Sequence, residues 1–231
     1  MAETALIVGV GQGLSASLAR LFAREGITVA LAARNAGKLD ALAKETGARA
    51  YECDASDAAS VAALFERVDK DLGGALDVVV YNASGRARGP ITDLDPAAVR
   101  QAIMVTCFGG FLVAQQAATR MLKRGHGTIL LTGASASVKG YPQSSSFAMG
   151  KFGLRGLAQS LARELAPQNI HVAHFVIDGG IRQGPDDPRG GRGVDALLSP
   201  DAIAETYLNI HRQNRTAWTW EVELRPWVEK F

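Results

Sequence analysis

Val8-Gly9-Val10-Gly11-Gln12-Gly13-Leu14-Ser15-Ala16-Ser17-Leu18-Ala19-Arg20-Leu21 decides how the rest of the chain is read. It follows the short apolar run Ala5-Leu6-Ile7, and beyond the glycines apolar residues recur at helical spacing, at Leu14, Leu18, Leu21 and Phe22. A β-prone run, alternate glycines and a helical period read as strand, tight turn and helix. Glycines are needed there if a pyrophosphate is to approach the backbone at the helix start, where unpaired N–H groups and the positive end of the dipole attract it. A Cβ at Gly9, Gly11 or Gly13 would strain the turn or hold the phosphate away. Gly11, Gly13 and Ala16 fit the G-x-G-x-x-[G/A] pattern, with a strand before and a helix after. The stretch reads as the opening of a dinucleotide-binding βαβ unit. The alternative is a glycine-rich turn that only tightens a strand–helix joint.

Outward from this turn, the next apolar run, 27–32, predicts a second strand covered by helices on both faces. It ends at Ala33-Arg34-Asn35, about 20 residues past the glycines, where an acidic residue would select NAD and an arginine the 2′-phosphate of NADP. Arg34 and the lack of a carboxylate there predict NADP; the alternative is a solvated loop charge. A helix over 37–45 and a strand over 48–54 follow, the strand ending in Asp54. Asp54 either accepts a bond from the adenine amino group or caps the next helix, 58–72. A fourth strand, 76–81, stops at Asn82-Ala83-Ser84-Gly85, small residues that let a cofactor lie across the sheet edge.

Residues 95–122 are long enough for two helices, or for one bent at Gly109-Gly110. A fifth strand over 128–132, a helix over 144–165 and a sixth strand over 171–177 complete the alternation. The helix over 144–165 is read as packing on both the sheet and another subunit. Ser199 and Pro200 open a last helix as N-cap and first-turn residue, and 218–224 alternates like a terminal strand. The regular alternation of strand and helix predicts an α/β fold, a single-domain Rossmann-type doubly wound parallel sheet with helices on both faces. Between the sixth strand and the last helix, the glycine-rich stretch 179–198 departs from this rhythm. Its place on the same edge as the glycine turn favours a substrate-binding lid over a disordered connection. In it, Arg182, Arg189 and Arg192 are read as solvated loop charges, or as attracting an anionic substrate.

At 231 residues, 47% hydrophobic, the chain can bury one sizeable core, and one domain over 1–231 is expected. Net charge is +2 with both signs interspersed, so no basic stripe indicates a nucleic-acid partner. Cys53 and Cys107 are too few and too far apart for a disulfide framework or a metal cluster, and His171 and His174 lack a third ligand, so no metal is expected. No run of about 18 apolar residues and no basic leader are seen, which predicts a soluble cytoplasmic protein with no membrane partner.

Over nearly its whole length the chain resembles the short-chain dehydrogenase/reductase family. The resemblance is carried by Gly9-Val-Gly-Gln-Gly13-Leu-Ser15, Asp54, Asn82-Ala83-Ser84, Lys151 and Asp178-Gly179-Gly180-Ile181. It implies NADP(H) bound by Gly9, Gly11, Gly13, Leu14 and Ser15 at the pyrophosphate, by Arg34 at the 2′-phosphate and by Asp54 and Ala55 near adenine. Asn82, Ala83 and Ser84 would line the ribose side, Lys151 the nicotinamide ribose, and Gly179 with the Ile181 backbone the carboxamide. It also implies a small-molecule substrate and a homodimer or homotetramer.

The chemical end departs from the family pattern. Members carry Tyr-x-x-x-Lys, one helical turn apart, in which the lysine lowers the tyrosine pKa and the phenol exchanges a proton with the carbonyl oxygen. Here the motif reads Phe147-Ala-Met-Gly-Lys151, and phenylalanine has no proton to give. Ala134 falls on the usual serine, with Ser135 one residue later, and Thr106 falls on the usual asparagine. The reading is hydride transfer to a carbonyl, imine or enone at an atypical site with Lys151, Ser135 and Thr106 as catalytic groups. Tyr141 is a further candidate for relaying a proton through water to Lys151. The alternative is a catalytically silent NADP(H)-binding protein, a sensor or partner subunit.

Overall fold

The structure, a computed structural model, describes residues 2–184, 187–193 and 195–229. Seven strands form one sheet in the order β3-β2-β1-β4-β5-β6-β7. They are β1 (Thr4–Val8), β2 (Thr28–Ala33), β3 (Arg49–Glu52), β4 (Val78–Tyr81), β5 (Gly127–Thr132), β6 (Ile170–Ile177) and β7 (Glu221–Leu224). Every neighbouring pair is parallel. The strand order reverses between β1 and β4, the switch point at which open α/β sheets bind ligands outside the carboxyl ends of their strands.

Successive residues of the apolar strands point to opposite faces, so each feeds two cores. Leu6 and Val8 of β1 join one core with Phe65 of α3 (Ala58–Leu72), Val113 of α5 (Gly109–Arg124) and Leu154 of α6 (Ser145–Leu165). Ala5 and Ile7 join the other, with Leu18 and Phe22 of α1 (Leu14–Arg24) and Tyr207 of α7 (Pro200–His211). Each such valine, leucine, isoleucine or phenylalanine, fully buried, contributes about 1.5–3 kcal/mol. The doubly wound expectation therefore holds. Ser199 caps α7 with Pro200 at its first turn, as its sequence predicts.

Asp57, and not Asp54, caps α3, accepting from the Ser60 N–H. The predicted bend at Gly109-Gly110 lies one turn earlier. α4 (Pro96–Ile103) passes into a π-helical turn, Met104–Phe108, before α5. The helical run Pro96–Arg124 is long and apolar enough to cross a membrane by length and composition alone, a property that a search for unbroken apolar runs misses. Ala102, Thr106, Val113, Ala117 and Met121 are buried inside the protein, as suits a core helix. Cys53 and Cys107 are both free thiols.

Candidate active site

The glycine turn takes its shape from one close approach. Gly9 has φ +88°, and a Cβ built on it would lie 2.2 Å from the Ala83 backbone nitrogen. Only glycine lets the end of β1 pass the end of β4 here. Ser15, buried at the start of α1, fixes the same junction. Its hydroxyl donates to the Gly9 carbonyl (3.2 Å) and accepts from the Asn82 side-chain amide (2.7 Å). By contrast, a Cβ on Gly11 or Gly13 would meet nothing within 4 Å. Gly13 caps α1 with no side-chain bond to the helix amides, and no acidic residue occupies the first turn. Leu14 is buried as well, so at Leu14 and Ser15 the backbone is what this helix start offers to a phosphate.

A cavity of about 380 Å³ runs from this turn across the ends of β2, β3 and β4, lined by Gly9, Gly11, Arg34, Asp54, Ala55, Asn82, Ala83 and Ser84 among others. The structure thus brings these predicted residues together. It adds Lys38, which reasoning from sequence missed although it lies one helical turn beyond Arg34. Arg34 has no hydrogen-bond partner among the described residues. Asp54 accepts from both the Ser56 N–H (2.9 Å) and hydroxyl (2.7 Å), which with nearby Arg34 hold its carboxyl below the usual range. Open room at Gly11, two exposed cations and a carboxylate at a strand end fit a phosphorylated dinucleotide.

The chemical end lies beyond this cavity, in the stretch after β4 and on α6. Lys151 is almost fully buried and its ammonium donates to the Thr132 carbonyl at 2.6 Å. Burial first, and then the like charge of Arg86, push its pKa down to about 7. Phe147, one turn earlier on α6, has Lys151 Nζ 5.8 Å from its ring centroid. The Arg86 guanidinium stacks over the same ring at 3.7 Å. Arg86 is the main residue that reading the sequence missed. The signal was Gly85-Arg86-Ala87-Arg88-Gly89, an alternation of small residues and arginines that matches a half-buried, half-exposed extended segment.

Thr106 sits fully buried in the π-helical turn, and a Cβ on Gly150 of α6 would meet it at 2.9 Å. Its hydroxyl accepts from the Gly85 N–H (2.8 Å) and donates to the Gly85 carbonyl (3.2 Å). Both bonds tie the Thr106 hydroxyl to the Gly85 backbone. Ser135 opens the short helical turn after β5 and is half-buried. Tyr141 is exposed at the surface. His174, buried beneath this turn, joins a chain in which its Nδ1 meets Glu221 (3.1 Å) and its Nε2 meets Ser137 (3.3 Å). Glu221 is in turn held by Arg155 at 2.6 and 2.8 Å. A serine–histidine–carboxylate order suggests a nucleophile, but Ser137 is fully buried and its oxygen accepts from the Ala134 N–H, so the chain braces this turn. Burial lowers the His174 pKa to about 4. Among the described residues no cluster of histidine, cysteine and carboxylate suits a metal.

Across the edge, Gly179 (φ +151°) packs on Pro226 and Leu198, and Ile181 bridges to Leu198, closing the neck of the 179–198 stretch. Gln183, just past the neck, shares a cavity with Val10, Gly11 and Gln12, so the stretch begins over the glycine turn. Arg189 does not stand ready for a substrate. It pairs with Asp187 (2.6 Å) and donates to the Ile181 carbonyl (2.7 Å). The side chain of Arg192 lies outside the described residues.

The sequence profile of the short chain dehydrogenase family matches residues 3–181, most of the chain. The chain belongs to the short-chain dehydrogenase/reductase family. The chain is 31% identical over 175 residues to D-threitol dehydrogenase of Mycolicibacterium smegmatis, covering 74% of the chain and 67% of the relative. It is 32% identical over 193 residues to sorbitol-6-phosphate 2-dehydrogenase of Escherichia coli K12, with coverage of 80% and 74%. Among solved structures it superposes on a short-chain dehydrogenase from Rhodopseudomonas palustris with a TM-score of 0.84 at 35% identity, covering 97% and 99% of the two chains. A metagenomic short-chain oxidoreductase solved in complex with NADP is 26% identical, with a TM-score of 0.83 and coverage of 97% of each chain. The family is one of oxidoreductases.

Proposed function

We propose that this protein, a single domain over 1–231, is an NADP(H)-dependent oxidoreductase acting on a small carbonyl, imine or enone at an atypical site. The observation that carries the reading is the pairing of a complete dinucleotide cradle with a buried Lys151 beyond its end. Gly9, Gly11 and Gly13, with the Leu14 and Ser15 amides, hold the pyrophosphate. Arg34, joined by Lys38, takes the 2′-phosphate, and Asp54 and Ala55 flank the adenine. Asn82, Ala83 and Ser84 line the ribose side, and Gly179 with the Ile181 backbone takes the carboxamide. The NADP-bound metagenomic relative supports this cofactor.

When bound, NADPH supplies a hydride. What this chain supplies is position and charge. Lys151 Nζ, with a pKa near neutrality, can hold or release a proton beside the reacting group, and Ser135 offers a hydroxyl one residue after Ala134. Thr106 positions the Gly85 backbone. Phe147, at the position where the family resemblance places a tyrosine, forms an apolar wall and donates nothing. General acid help is worth about 10²–10⁴-fold, so a ketone that depends on a phenol is reduced slowly, and a substrate that arrives protonated, such as an iminium, is not penalised. Exposed Phe108, Phe111, Met149 and Phe152 on α5, α6 and the turn before them suit burial against a second copy, as a homodimer or homotetramer. Free Cys53 and Cys107 suit a cytoplasmic location.

NADPH consumption against matched ketones, aldehydes, enones and cyclic imines, with cofactor binding measured in the same samples, tests the reading. Turnover of at least one class is expected, and Phe147→Tyr raises ketone reduction. Tight NADPH binding without turnover of any class supports instead a silent NADP(H)-binding protein, the reading that Phe147 and Ala134 themselves favour.

A further inference from the structure

We propose that Arg86, stacked on Phe147, is the substrate-recognition residue of this site and selects carbonyl compounds that carry an oxyanion, a carboxylate or a phosphate monoester. The inference rests on the oxidoreductase reading and names its substrate class.

Charge balance points to an anion. Arg86 and Lys151 address one aromatic ring, at 3.7 and 5.8 Å from its centroid. Lys151 donates to a neutral carbonyl, and Arg86 makes no hydrogen bond or ion pair among the described residues. Partial desolvation of the guanidinium, and then the like charge of the next cation, Arg88, lower the Arg86 pKa. Neither Arg86 nor Arg88 has a counter-ion among the described residues, and uncompensated positive charge beside a lysine that can carry a proton favours a bound anion.

Arg86 is also held in place. Gly85 is bound in both directions by the Thr106 hydroxyl, and Ala87 by the Ser146 hydroxyl, which accepts from its N–H (3.0 Å) and donates to its carbonyl (2.6 Å). The Gly89 N–H donates to the Gln143 carbonyl at 3.2 Å. Alternate residues of an extended segment are thus anchored, and the residue between two anchors is presented on the other side. Gly85 itself is required, because a Cβ there would lie 2.7 Å from Ala102 Cα.

The stacking geometry suits the same ligand. With its carbon 3.7 Å from the ring centroid and its N–H groups bonded to no other described residue, the guanidinium keeps a donor fork that matches two oxygens of a carboxylate or phosphate. Arg189 cannot take this part, because Asp187 already neutralises it.

Titration calorimetry of the NADP⁺-loaded protein with oxamate and with methyl phosphate tests the proposal, alongside NADPH affinity and thermal melting of each variant. One of the two anions should bind with 1:1 stoichiometry, and which one does so identifies the oxyanion. Arg86→Gln should weaken that binding at least about tenfold, Arg86→Lys by less, and Phe147→Leu measurably, with NADPH affinity unchanged. Equal anion binding by wild type and Arg86→Gln would overturn the proposal. So would a parallel loss of NADPH affinity, which would make Arg86 a cofactor ligand. Arg86-dependent anion binding without oxidation of NADPH by any ketone, aldehyde, enone or imine of the panel, 2-oxobutanoate and dihydroxyacetone phosphate included, would uphold the recognition site and remove the oxidoreductase reading. NADPH oxidation by butanone equal to that by 2-oxobutanoate, with no anion binding, would do the reverse.

Discussion

At the glycine-turn end of the cleft the backbone does the shaping: Gly9 passes Ala83, no side chain caps the α1 amides, and Arg34 and Lys38 line the cavity with long side chains. At the hydride end the reverse holds. In the proposed reading Phe147, Arg86, Lys151 and Thr106 would set the chemistry by their side chains, and each is positioned by partners remote in sequence. A backbone cradle is fixed by a few glycines and tolerates substitution around it. A cluster of side chains can be rebuilt one residue at a time while the cradle stays intact, which is the difference between the two ends of this protein.

The largest expected contrast separates glycines that serve the fold from those that serve the ligand. Gly9→Ala places a Cβ into the Ala83 backbone at positive φ, and a destabilisation of about 3 kcal/mol or more is expected in chemical denaturation. Gly11→Ala meets no atom in the protein, so it should melt like wild type and lose NADPH affinity. Arg34→Ala comes next. It should weaken NADPH binding about 100-fold, with Lys38→Ala smaller, and leave NADH binding nearly unchanged; equal losses for both cofactors would remove the 2′-phosphate role.

At the other end the expected effects are smaller and depend on pH. The Lys151 pKa is lowered in the folded state to about 7, so the unfolded chain binds this proton more tightly up to its ordinary range. The cost of Lys151 is therefore complete below pH 7 and is relieved as pH rises through 7 and beyond. Wild-type stability should gain up to about 1.4 kcal/mol per pH unit between pH 7 and 9 relative to Lys151→Met, measured by denaturation in parallel. A constant difference between the two would show that Lys151 is not desolvated. The smallest effect belongs to the straps: Ser146→Ala removes both bonds to Ala87 and should cost about 1 kcal/mol of stability. It should also raise KM for anionic carbonyls while leaving NADPH affinity alone.

The two ends also differed in how far the sequence could be read. The glycine turn, Arg34, Asp54 and Asn82-Ala83-Ser84 were legible because strand, turn and helix follow local rules, and the cradle is made at strand ends. Asp54 needed the structure, since Asp57 three residues later was an equally good cap and took that role. Lys38 was hidden because a lysine at the start of a helix is usually solvated. Arg86 was hidden for a different reason. Its placement depends on Thr106 and Ser146, 21 and 59 residues from the backbone groups they bind, and no periodicity connects these positions. In the 179–198 stretch, the pairing of Arg189 with Asp187 is a contact between two loop residues that no periodicity announces.

On this account a conventional cofactor cradle serves a rebuilt chemical end that still transfers hydride. The decisive measurement follows deuterium from one face of the reactive carbon of NADPH, incubated with the protein and a panel of anionic and neutral carbonyls, imines and enones. The account predicts deuterium on the reduced carbon of a product from one face of the cofactor only, with anionic carbonyls leading. Tight NADPH binding with no deuterium in any product would contradict it.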